Sequence, residues 1–147
     1  MITLRPLRED ELAACEAMER QVHARPFVLQ TGLDGHRRQF AESGVTYLAV
    51  DRAPHRLCGY LILVRSARSS SIEFRRILVD RDARGVGQPS LALMEAHCRH
   101  EGGVERIWLD VFDNNRLGIH LYEKQGYRRF GQERFAGRWL YLYDKAL

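Results

Sequence analysis

The chain has 147 residues, of which 45% are hydrophobic and 29% are charged, and its formal net charge is +4. This length and composition exclude an intrinsically disordered chain, and we expect one domain with a hydrophobic core over residues 1–147. The positive charge weakly favours an anionic ligand. It is small and spread along the chain, which argues against a nucleic-acid partner.

The cysteines and the apolar runs bear on the cellular environment. Cys15, Cys58 and Cys98 are odd in number and far apart, and no Cys-x-x-Cys pair occurs. We therefore expect reduced thiols in a cytoplasmic protein, with neither a disulfide framework nor a bound metal. The N-terminal residues lack the apolar core of a signal peptide, and the apolar run over residues 60–64 is too short to span a bilayer, so we expect no membrane partner.

The first half of the chain predicts an antiparallel meander preceded by helices. The expected elements are a strand over residues 2–5, a helix over 8–23, a short helix over 36–43, and strands over 45–51, 57–65 and 72–79. The first helix places Leu12, Cys15, Met18 and Val22 on one face. The strand over 57–65 is apolar on both faces, which is typical of a central strand, and a polar turn after it predicts an antiparallel hairpin.

The second half predicts strands that alternate with helices. A helix over residues 88–101 ends at two glycines, a buried strand spans 104–112, a further helix runs from about 113 to 126, and strands over 127–131 and 139–147 flank a polar hairpin. Asp110 is a polar residue in the buried strand and needs a partner that the sequence does not identify. The fold class is α/β (α+β), a three-layer αβα fold with a mixed, mostly antiparallel sheet of about seven strands and about four helices.

A glycine turn joins the strand over 72–79 to the helix over 88–101. Residues 84–90 read Arg-Gly-Val-Gly-Gln-Pro-Ser, and the two glycines permit a tight turn whose N–H groups stay uncovered. Together with the positive end of the helix dipole, such a turn forms a site for phosphate or pyrophosphate. A lone Gly-x-Gly also occurs in ordinary strand–helix turns, and the Gly-Lys-Ser/Thr ending of nucleotide triphosphatases is missing.

Two motifs flank the predicted buried strand and resemble those of a known family. Arg84, Gly87 and the position of Pro89 align with the pattern Arg/Gln-x-x-Gly-x-Gly/Ala. Residues 115–127, Asn-Arg-Leu-Gly-Ile-His-Leu-Tyr-Glu-Lys-Gln-Gly-Tyr, are similar to Asn-x-x-Ala-x-x-Leu-Tyr-x-x-x-Gly-Phe. Both patterns are those of the GCN5-related N-acetyltransferase (GNAT) superfamily, and the chain resembles its small members related to ribosomal-protein acetyltransferases. The resemblance implies an acetyl-CoA-dependent N-acetyltransferase that moves an acetyl group to a primary amine of a small molecule or protein by direct attack.

The resemblance also implies which residues bind coenzyme A. The set comprises Ile77, Leu78 and Val79 on the strand, Arg84, Gly85, Val86, Gly87, Gln88, Pro89 and Ser90 in the turn, and Asn115 and Lys124 on the later helix. The turn would hold the pyrophosphate, the strand would pair its main chain with the pantetheine arm, and an N–H near Leu78 would stabilise the oxyanion. Asn115 is equally suited to cap its helix, and Lys124 to be simply solvated.

Pro89 is a departure from the family pattern, which has Gly or Ala at that position. Proline has no N–H to offer a phosphate, although it is tolerated in the first turn of a helix. We therefore expect coenzyme binding to be kept with one donor missing.

The resemblance names two catalytic candidates. Tyr122 is the expected general acid, because a tyrosine at this motif position in the family points at the sulfur of coenzyme A. The alternative is an aromatic side chain that packs beside Ile119 and Leu121. Glu73 is the expected base, acting through a water, and the alternative is a surface glutamate paired with Arg75 or Arg76.

The acceptor amine is expected between the early helices and the last hairpin, as in the family. Phe27, His36, Phe135, Trp139 and Tyr141 would line a partly aromatic pocket there. That composition fits small amines, amino acids, aminoglycosides and protein N-termini alike, so the acceptor stays undetermined.

Two functions of other classes stay open from the sequence. One is a sensor or pseudoenzyme that binds coenzyme A or acyl-CoA without turnover, which Pro89 suggests. The other is a basic nucleic-acid-binding module, although the charge forms no stripe and no base-stacking motif appears. Many members of the family form dimers, and nothing in the sequence decides between a monomer and a homodimer.

Overall fold

The computed structural model describes residues 1–67, 69–83 and 85–147. Its strands are β1 (Ile2–Pro6), β2 (Val45–Arg52), β3 (Arg56–Val64), β4 (Ser71–Val79), β5 (Arg106–Phe112), β6 (Arg128–Phe135) and β7 (Arg138–Ala146). Its α-helices are α1 (Leu12–Glu19), α2 (Gly32–Ala41), α3 (Gly87–His100) and α4 (Arg116–Lys124), and a short 3-10 helix over Glu9–Glu11 precedes α1. Within the described residues, no helix is long and apolar enough to cross a membrane.

The strands form one mixed sheet in the order β1-β2-β3-β4-β5-β7-β6. β4 and β5 are parallel, and the other neighbouring pairs are antiparallel. One apolar cluster packs α1 against the sheet through Leu12 and Cys15. A second cluster packs α3 against it through Leu91 and Met94. The sheet therefore lies between two helical layers, and the expected fold class is confirmed.

The strand β3 shows why the sheet needs cover on both faces. Leu61 and Leu63 belong to the cluster with α3, whereas Tyr60 and Ile62 belong to the cluster with α1. Successive side chains of a strand point to opposite faces, so an apolar run without alternation must be covered twice. β3 pairs with both β2 and β4, which confirms the expected central strand and antiparallel hairpin.

The first helix is shorter than its apolar pattern predicts. α1 ends at Glu19, and the chain continues through turns, such as the one closed by the Ala24 N–H on the Gln21 carbonyl at 3.0 Å. The helical phase is lost there, so Val22 is 80% exposed and Ala24 is buried in its place. The prediction that Val22 continues the buried face is therefore wrong.

The final hairpin is longer than expected. β6 extends to Phe135 and β7 begins at Arg138, so a two-residue turn replaces the polar loop predicted between residues 131 and 139. β6 is an edge strand whose residues are almost all exposed, and such a strand lacks the apolar alternation that marks a strand in sequence. α2 also begins earlier than predicted, at Gly32.

A β-bulge in β4 decides which of its side chains face which layer. Ile62 is opposite Arg76 and Leu63 is opposite Phe74, so Arg75 is an extra residue in β4. Phe74 lies in the cluster with α3, whereas Leu78 lies in the cluster with α1. Strict alternation would place both on one face, so the bulge reverses the phase of the strand beyond residue 75.

Beyond the bulge, β4 and β5 part. Their pairing covers three residue pairs and ends at Glu73 opposite Trp108. β4 nevertheless continues to Val79 and β5 to Phe112. A gap therefore opens in the middle of the sheet, and the main chain along both of its sides lacks a neighbouring strand.

A charged cluster fastens β1 to the segment before α1 and to β2. Arg5 donates to both carboxylate oxygens of Glu11 at 2.8 Å and to Asp51 at 2.6 Å. The Arg8 N–H donates to Glu11 at 2.9 Å. The hydrogen bonds from Arg5 lower the pKa of Glu11 from 4.5 to about 2, against the opposing effect of burial.

The substitution Glu11→Gln tests the contribution of this cluster. Because the folded protein lowers the pKa of Glu11, its stabilisation is present above pH 4.5 and is lost as the pH falls toward 2. We expect urea unfolding at pH 7 to show a loss of about 1–3 kcal/mol that shrinks as the pH is lowered below 4.5. The exposed Glu9→Gln is the matched control, and a loss that does not change with pH would contradict the role of the charge.

Candidate active site

The gap between β4 and β5 widens into a cleft of about 410 Å³. Its walls come from the chain after α1 (Phe27, Val28, Leu29, Thr31), from β4 (Glu73, Arg75, Arg76, Ile77), from β5 (Asp110, Val111, Phe112), from Asn115 and Tyr122, and from the last hairpin (Glu133, Phe135, Leu140), with Gln39 and Ile62 between them. The cleft therefore brings together six residues that the sequence analysis singled out for binding or catalysis: Phe27, Glu73, Ile77, Asn115, Tyr122 and Phe135.

The hydrogen-bond phase of β4 determines which main-chain groups face the gap. The Asp80 N–H donates to the Cys58 carbonyl at 2.7 Å, so Asp80 and Cys58, which face each other across β4 and β3, form a hydrogen-bonded pair. Such pairs alternate along an antiparallel ladder. Leu78 therefore directs its main chain at β3, whereas Ile77 and Val79 direct theirs at the gap. The ring of His23 contacts the Val79 carbonyl at 2.9 Å, which agrees with that direction.

This phase narrows the position of the oxyanion donor that is expected near Leu78. The N–H of Leu78 points at β3 and is directed away from the gap. The gap-facing amides nearest to it are those of Ile77 and Val79. The sequence does not reveal which main-chain groups of β4 face the gap, because this depends on the register of β4 with β3.

The glycine turn presents free N–H groups at the beginning of α3. Within the described part of the chain, the N–H groups of Gly85, Val86, Gly87 and Gln88 have no hydrogen-bond partner, and no side chain caps the helix. Gly85 has φ +78, a conformation that glycine adopts without strain. These donors and the helix dipole fit a pyrophosphate. Arg84 lies outside the described residues.

Two residues of the turn cannot give the N–H donors that the motif implies. Pro89, the third residue of α3, is exposed and has no N–H. Ser90 is fully buried, and both its N–H and its hydroxyl donate to the Val86 carbonyl, at 3.0 Å and 2.7 Å. The expected phosphate contact of Ser90 is therefore not supported, because its hydroxyl fastens the first turn of the helix.

The C-terminal end of α4 lies beside the beginning of α3. The Gln88 amide nitrogen is 3.5 Å from the Gln125 side-chain oxygen, and a side-chain carbon at Gly87 would lie 3.2 Å from Leu121. Lys124 is the last residue of α4 and is exposed. Its charge therefore belongs to the same end of the molecule as the free N–H groups.

Tyr122 is buried but reaches the cleft. It is 8% exposed, and its ring makes edge contacts with Phe74 and Tyr127 at centroid distances of 6.2 Å. Its hydroxyl lines the cleft without a hydrogen-bond partner among the described residues. Burial, with a further contribution from the Asp110 carboxylate, raises the pKa of Tyr122, so the hydroxyl keeps its proton at neutral pH.

Glu73 is held by its neighbour on the same strand. Arg75 donates to both carboxylate oxygens of Glu73, at 3.0 Å and 3.1 Å, and to Gln39 at 2.8 Å. The ion pair that was the alternative to a catalytic base is thus present, although Glu73 still lines the cleft.

Asp110 is a candidate that sequence reasoning left without a role. Ile107, Leu109 and Val111 are buried in the core, so alternation along β5 turns Asp110 to the opposite face, where it lines the cleft. Its carboxylate has no hydrogen bond or ion pair among the described residues and is accessible to solvent. The enclosing walls raise the pKa of Asp110, and the carboxylates of Glu73 and Glu133 shift it in the same direction.

Asn115 lines the cleft and also caps α4. Its side-chain oxygen accepts the Gly118 N–H at 3.0 Å. A side-chain carbon at Gly118 would approach the Asn115 amide to 2.7 Å, so a larger residue at 118 would require this side chain to shift. The capping alternative is therefore present in the structure.

Three of the residues expected at the acceptor pocket lie elsewhere. His36 is completely buried, with Nδ1 2.8 Å from the Tyr47 hydroxyl, so it cannot contact an acceptor. Trp139 and Tyr141 stack under the guanidinium groups of Arg134 and Arg129. Leu140, between them on β7, lines the cleft. The alternation of that strand therefore turns both aromatic rings away from the cleft.

Glu19 anchors the chain between α1 and α2, which forms one wall of the cleft. One carboxylate oxygen accepts the N–H groups of Thr31 and Gly32, both at 2.8 Å. The other accepts from Arg76 at 2.7 Å and lies 2.9 Å from the His36 ring. Burial raises the pKa of Glu19, but these N–H groups and the Arg76 guanidinium outweigh it and keep the pKa low, so the buried group is a carboxylate.

Comparison with known proteins identifies relatives of this architecture. The model of the acetyltransferase (GNAT) family matches residues 10–127. This match confirms the resemblance drawn from the two motifs, whereas the narrower resemblance to ribosomal-protein acetyltransferases stays an expectation.

Solved structures of acetyltransferases share the fold over nearly the whole chain. The aminoglycoside acetyltransferase AAC(6')-Ib in complex with coenzyme A matches with a TM-score of 0.81 at 17% identity, covering 99% of this chain and 95% of its own. Spermidine N-acetyltransferase from Vibrio cholerae, in complex with coenzyme A and spermine, has a TM-score of 0.82 at 17% identity with the same coverage. Arabidopsis thaliana NAA60 in complex with a bisubstrate analogue has 0.78 at 15% identity, covering 100% and 99%.

The substitution Glu19→Gln tests the anchor of the cleft wall. It leaves the buried Arg76 guanidinium without its carboxylate, and we expect a loss of about 3 kcal/mol in the free energy of unfolding. Under native conditions we also expect faster tryptic cleavage after Arg20, which lies at the start of the released segment and is exposed. Glu9→Gln serves as the exposed control, and unchanged cleavage after Arg20 would contradict the anchoring role.

Proposed function

The chain belongs to the acetyltransferase (GNAT) family, and we propose that it transfers an acetyl group from acetyl-CoA to a primary amine by direct attack. The observation that carries the proposal is the gap between β4 and β5, where unpaired main chain and the Tyr122 hydroxyl adjoin one cleft. The 99% coverage by the solved acetyltransferases supports one catalytic domain over residues 1–147. The acetyltransferases found with coenzyme A bound support the choice of donor.

The residues at the gap fit coenzyme A by the chemistry of their donors. The free N–H groups at Gly85, Val86, Gly87 and Gln88 suit the pyrophosphate. The gap-facing main chain of Ile77 and the N–H of Val79 suit the amides of the pantetheine arm, which would add to the sheet as a further strand, whereas the Val79 carbonyl is already contacted by His23. Lys124, at the same end of the molecule, adds a positive charge for a phosphate. Acetyl-CoA would supply an acyl group activated as a thioester.

The proton steps fall to two side chains of the cleft. Tyr122 keeps its proton because of its burial, so it is suited to protonate the departing thiolate. Asp110 is suited to accept the proton of the amine, directly or through a water. We assign the base to Asp110 rather than to Glu73, because both oxygens of Glu73 are already held by Arg75. A main-chain N–H of Ile77 or Val79 is suited to the oxyanion.

Pro89 and Ser90 favour a second candidate function, which is binding of coenzyme A without turnover. Neither residue offers a free N–H, so the turn has fewer donors than the family motif implies. The substitution Pro89→Gly restores one donor at the exposed beginning of α3, and the two functions differ in whether thiol is released.

Isothermal titration with coenzyme A tests the binding site. We expect saturable binding by the wild type and binding at least as tight by Pro89→Gly, because the variant adds an N–H toward the pyrophosphate. The exposed Glu9→Gln is the control, since Glu9 lies outside both the turn and the cleft, and its affinity should stay the same. Binding several-fold weaker in Pro89→Gly would contradict this account of the turn. No binding at millimolar concentration would overturn the proposed function.

The substitution Asp110→Asn tests the assignment of the base, with Glu73→Gln as its counterpart. Thiol release with a panel of primary amines should show a fall in kcat of about 10²–10⁴-fold for Asp110→Asn and a smaller fall for Glu73→Gln. A base must be deprotonated, and the pKa of Asp110 is raised. The rate of the wild type should therefore fall on acidification at a higher pH than for an ordinary aspartate, and this limb should vanish in Asp110→Asn. A limb that persists there but vanishes in Glu73→Gln would return the role to Glu73.

A further inference from the structure

The charge of the cleft is opposite in sign to that of the whole chain. The chain carries a formal net charge of +4, yet Glu73, Asp110 and Glu133 line the cleft. Arg75 forms an ion pair with Glu73, and Arg76 forms one with the buried carboxylate of Glu19. What remains for a ligand is therefore the negative charge of Asp110 and Glu133.

These two carboxylates lie on different strands and line the same cleft. Glu133 is on β6 and Asp110 on β5, and β7 lies between these strands in the sheet. Neither carboxylate has a hydrogen bond or ion pair among the described residues. The effect of Glu133 on the pKa of Asp110 agrees with their closeness. Arg138, which stacks on Phe112 at 3.7 Å, donates to Pro26 and Asn114 and does not line the cleft.

An independent feature marks the same cleft as a ligand site. Tyr122 is more than nine-tenths buried, and its hydroxyl reaches the cleft without a partner in the described part of the chain. Phe112 and Phe135, with ring centroids 6.4 Å apart, supply aromatic walls near the two carboxylates. The Arg138 guanidinium already occupies one face of Phe112, so the contribution of these rings to an acceptor is cover for the methylene groups between its ammonium groups.

We infer that the acceptor is a small organic polycation, such as a linear polyamine or an amino sugar, with one amine facing Asp110 and a second ammonium bound by Glu133. This inference rests on the proposed function and narrows its acceptor class. A cleft of about 410 Å³ is of the size that holds a small molecule. A monoamine would leave one carboxylate without a cation, whereas a molecule with two ammonium groups satisfies both. Glu133 is thus the specificity residue, and Asp110 serves the amine that reacts.

Matched amines separate the charge of the acceptor from its length. The panel is butylamine, 1,4-diaminobutane, spermidine, an amino sugar with several amines, and a peptide with a free N-terminus. We expect kcat/KM for the diamine to exceed that for butylamine by about tenfold or more, as a charge-assisted hydrogen bond provides. The comparison of spermidine with the amino sugar then shows which source of the polycation is preferred.

The variant Glu133→Gln tests the role of the second carboxylate. We expect the ratio of kcat/KM for diamine over monoamine to fall by about tenfold, while Glu105→Gln, at an exposed residue that does not line the cleft, keeps the ratio of the wild type. A diamine preference that is absent in the wild type, or unchanged in Glu133→Gln, would overturn the inference. Preference for the peptide over every polycation would overturn it as well.

Equilibrium binding distinguishes this inference from the proposed function. Titrations of butylamine and 1,4-diaminobutane in the presence of coenzyme A, which carries no acetyl group, need no turnover. Tighter binding of the diamine that is lost in Glu133→Gln would support the acceptor class even if no amine releases thiol, a result that would refute the transferase alone. Equal binding of the two amines, with thiol release from both, would leave the transferase intact and refute the acceptor class.

Discussion

Main-chain pairing between β4 and β5 stops at Glu73 and Trp108, and the candidate active site depends on this interruption. A parallel sheet normally satisfies its main chain from both sides. Here the two strands run on without pairing, and the main-chain groups of Ile77 and the N–H of Val79 face the gap without a strand partner. The β-bulge at Arg75 lies just beyond the last pair and reverses the strand's phase, so Ile77 turns its side chain to one layer and its main chain to the gap.

The same interruption explains how charged groups come to lie in the middle of the sheet. Asp110 is on a strand whose alternate residues Ile107, Leu109 and Val111 are buried, and it lines the cleft where β5 no longer pairs with β4. Glu73 and Arg75 neutralise each other at the edge of the gap. Asp110 and Glu133 have no such partners within the described residues, and this asymmetry among three carboxylates supports both the choice of base and the polycationic acceptor.

The two ends of the cleft are stabilised in different ways. At the end near α3, the donors are main-chain N–H groups, and Ser90 and Gln88 hold the turn rather than extend toward a ligand. On the acceptor side, a buried carboxylate, Glu19, collects the N–H groups of Thr31 and Gly32 and the guanidinium of Arg76. A buried charge is stable only when it is fully paired, so this wall has one preferred position.

The sequence by itself determined the order of the elements, the fold class and the family, because apolar periodicity, glycine turns and the two motifs are local properties of the chain. It also placed Tyr122, Ile77, Asn115 and Phe27 at the site, since their motif or loop position brings them there directly. Only the tertiary structure decided the rest. Whether Leu78 or Ile77 faces the gap depends on the register with β3, and the burial of His36 depends on Glu19 and Tyr47 from other elements. Trp139 was expected at the site but lies outside the cleft, whereas Asp110, which had no assigned role, lines it. The reason is the same, because the face to which a strand residue points is set by the neighbours with which that strand pairs.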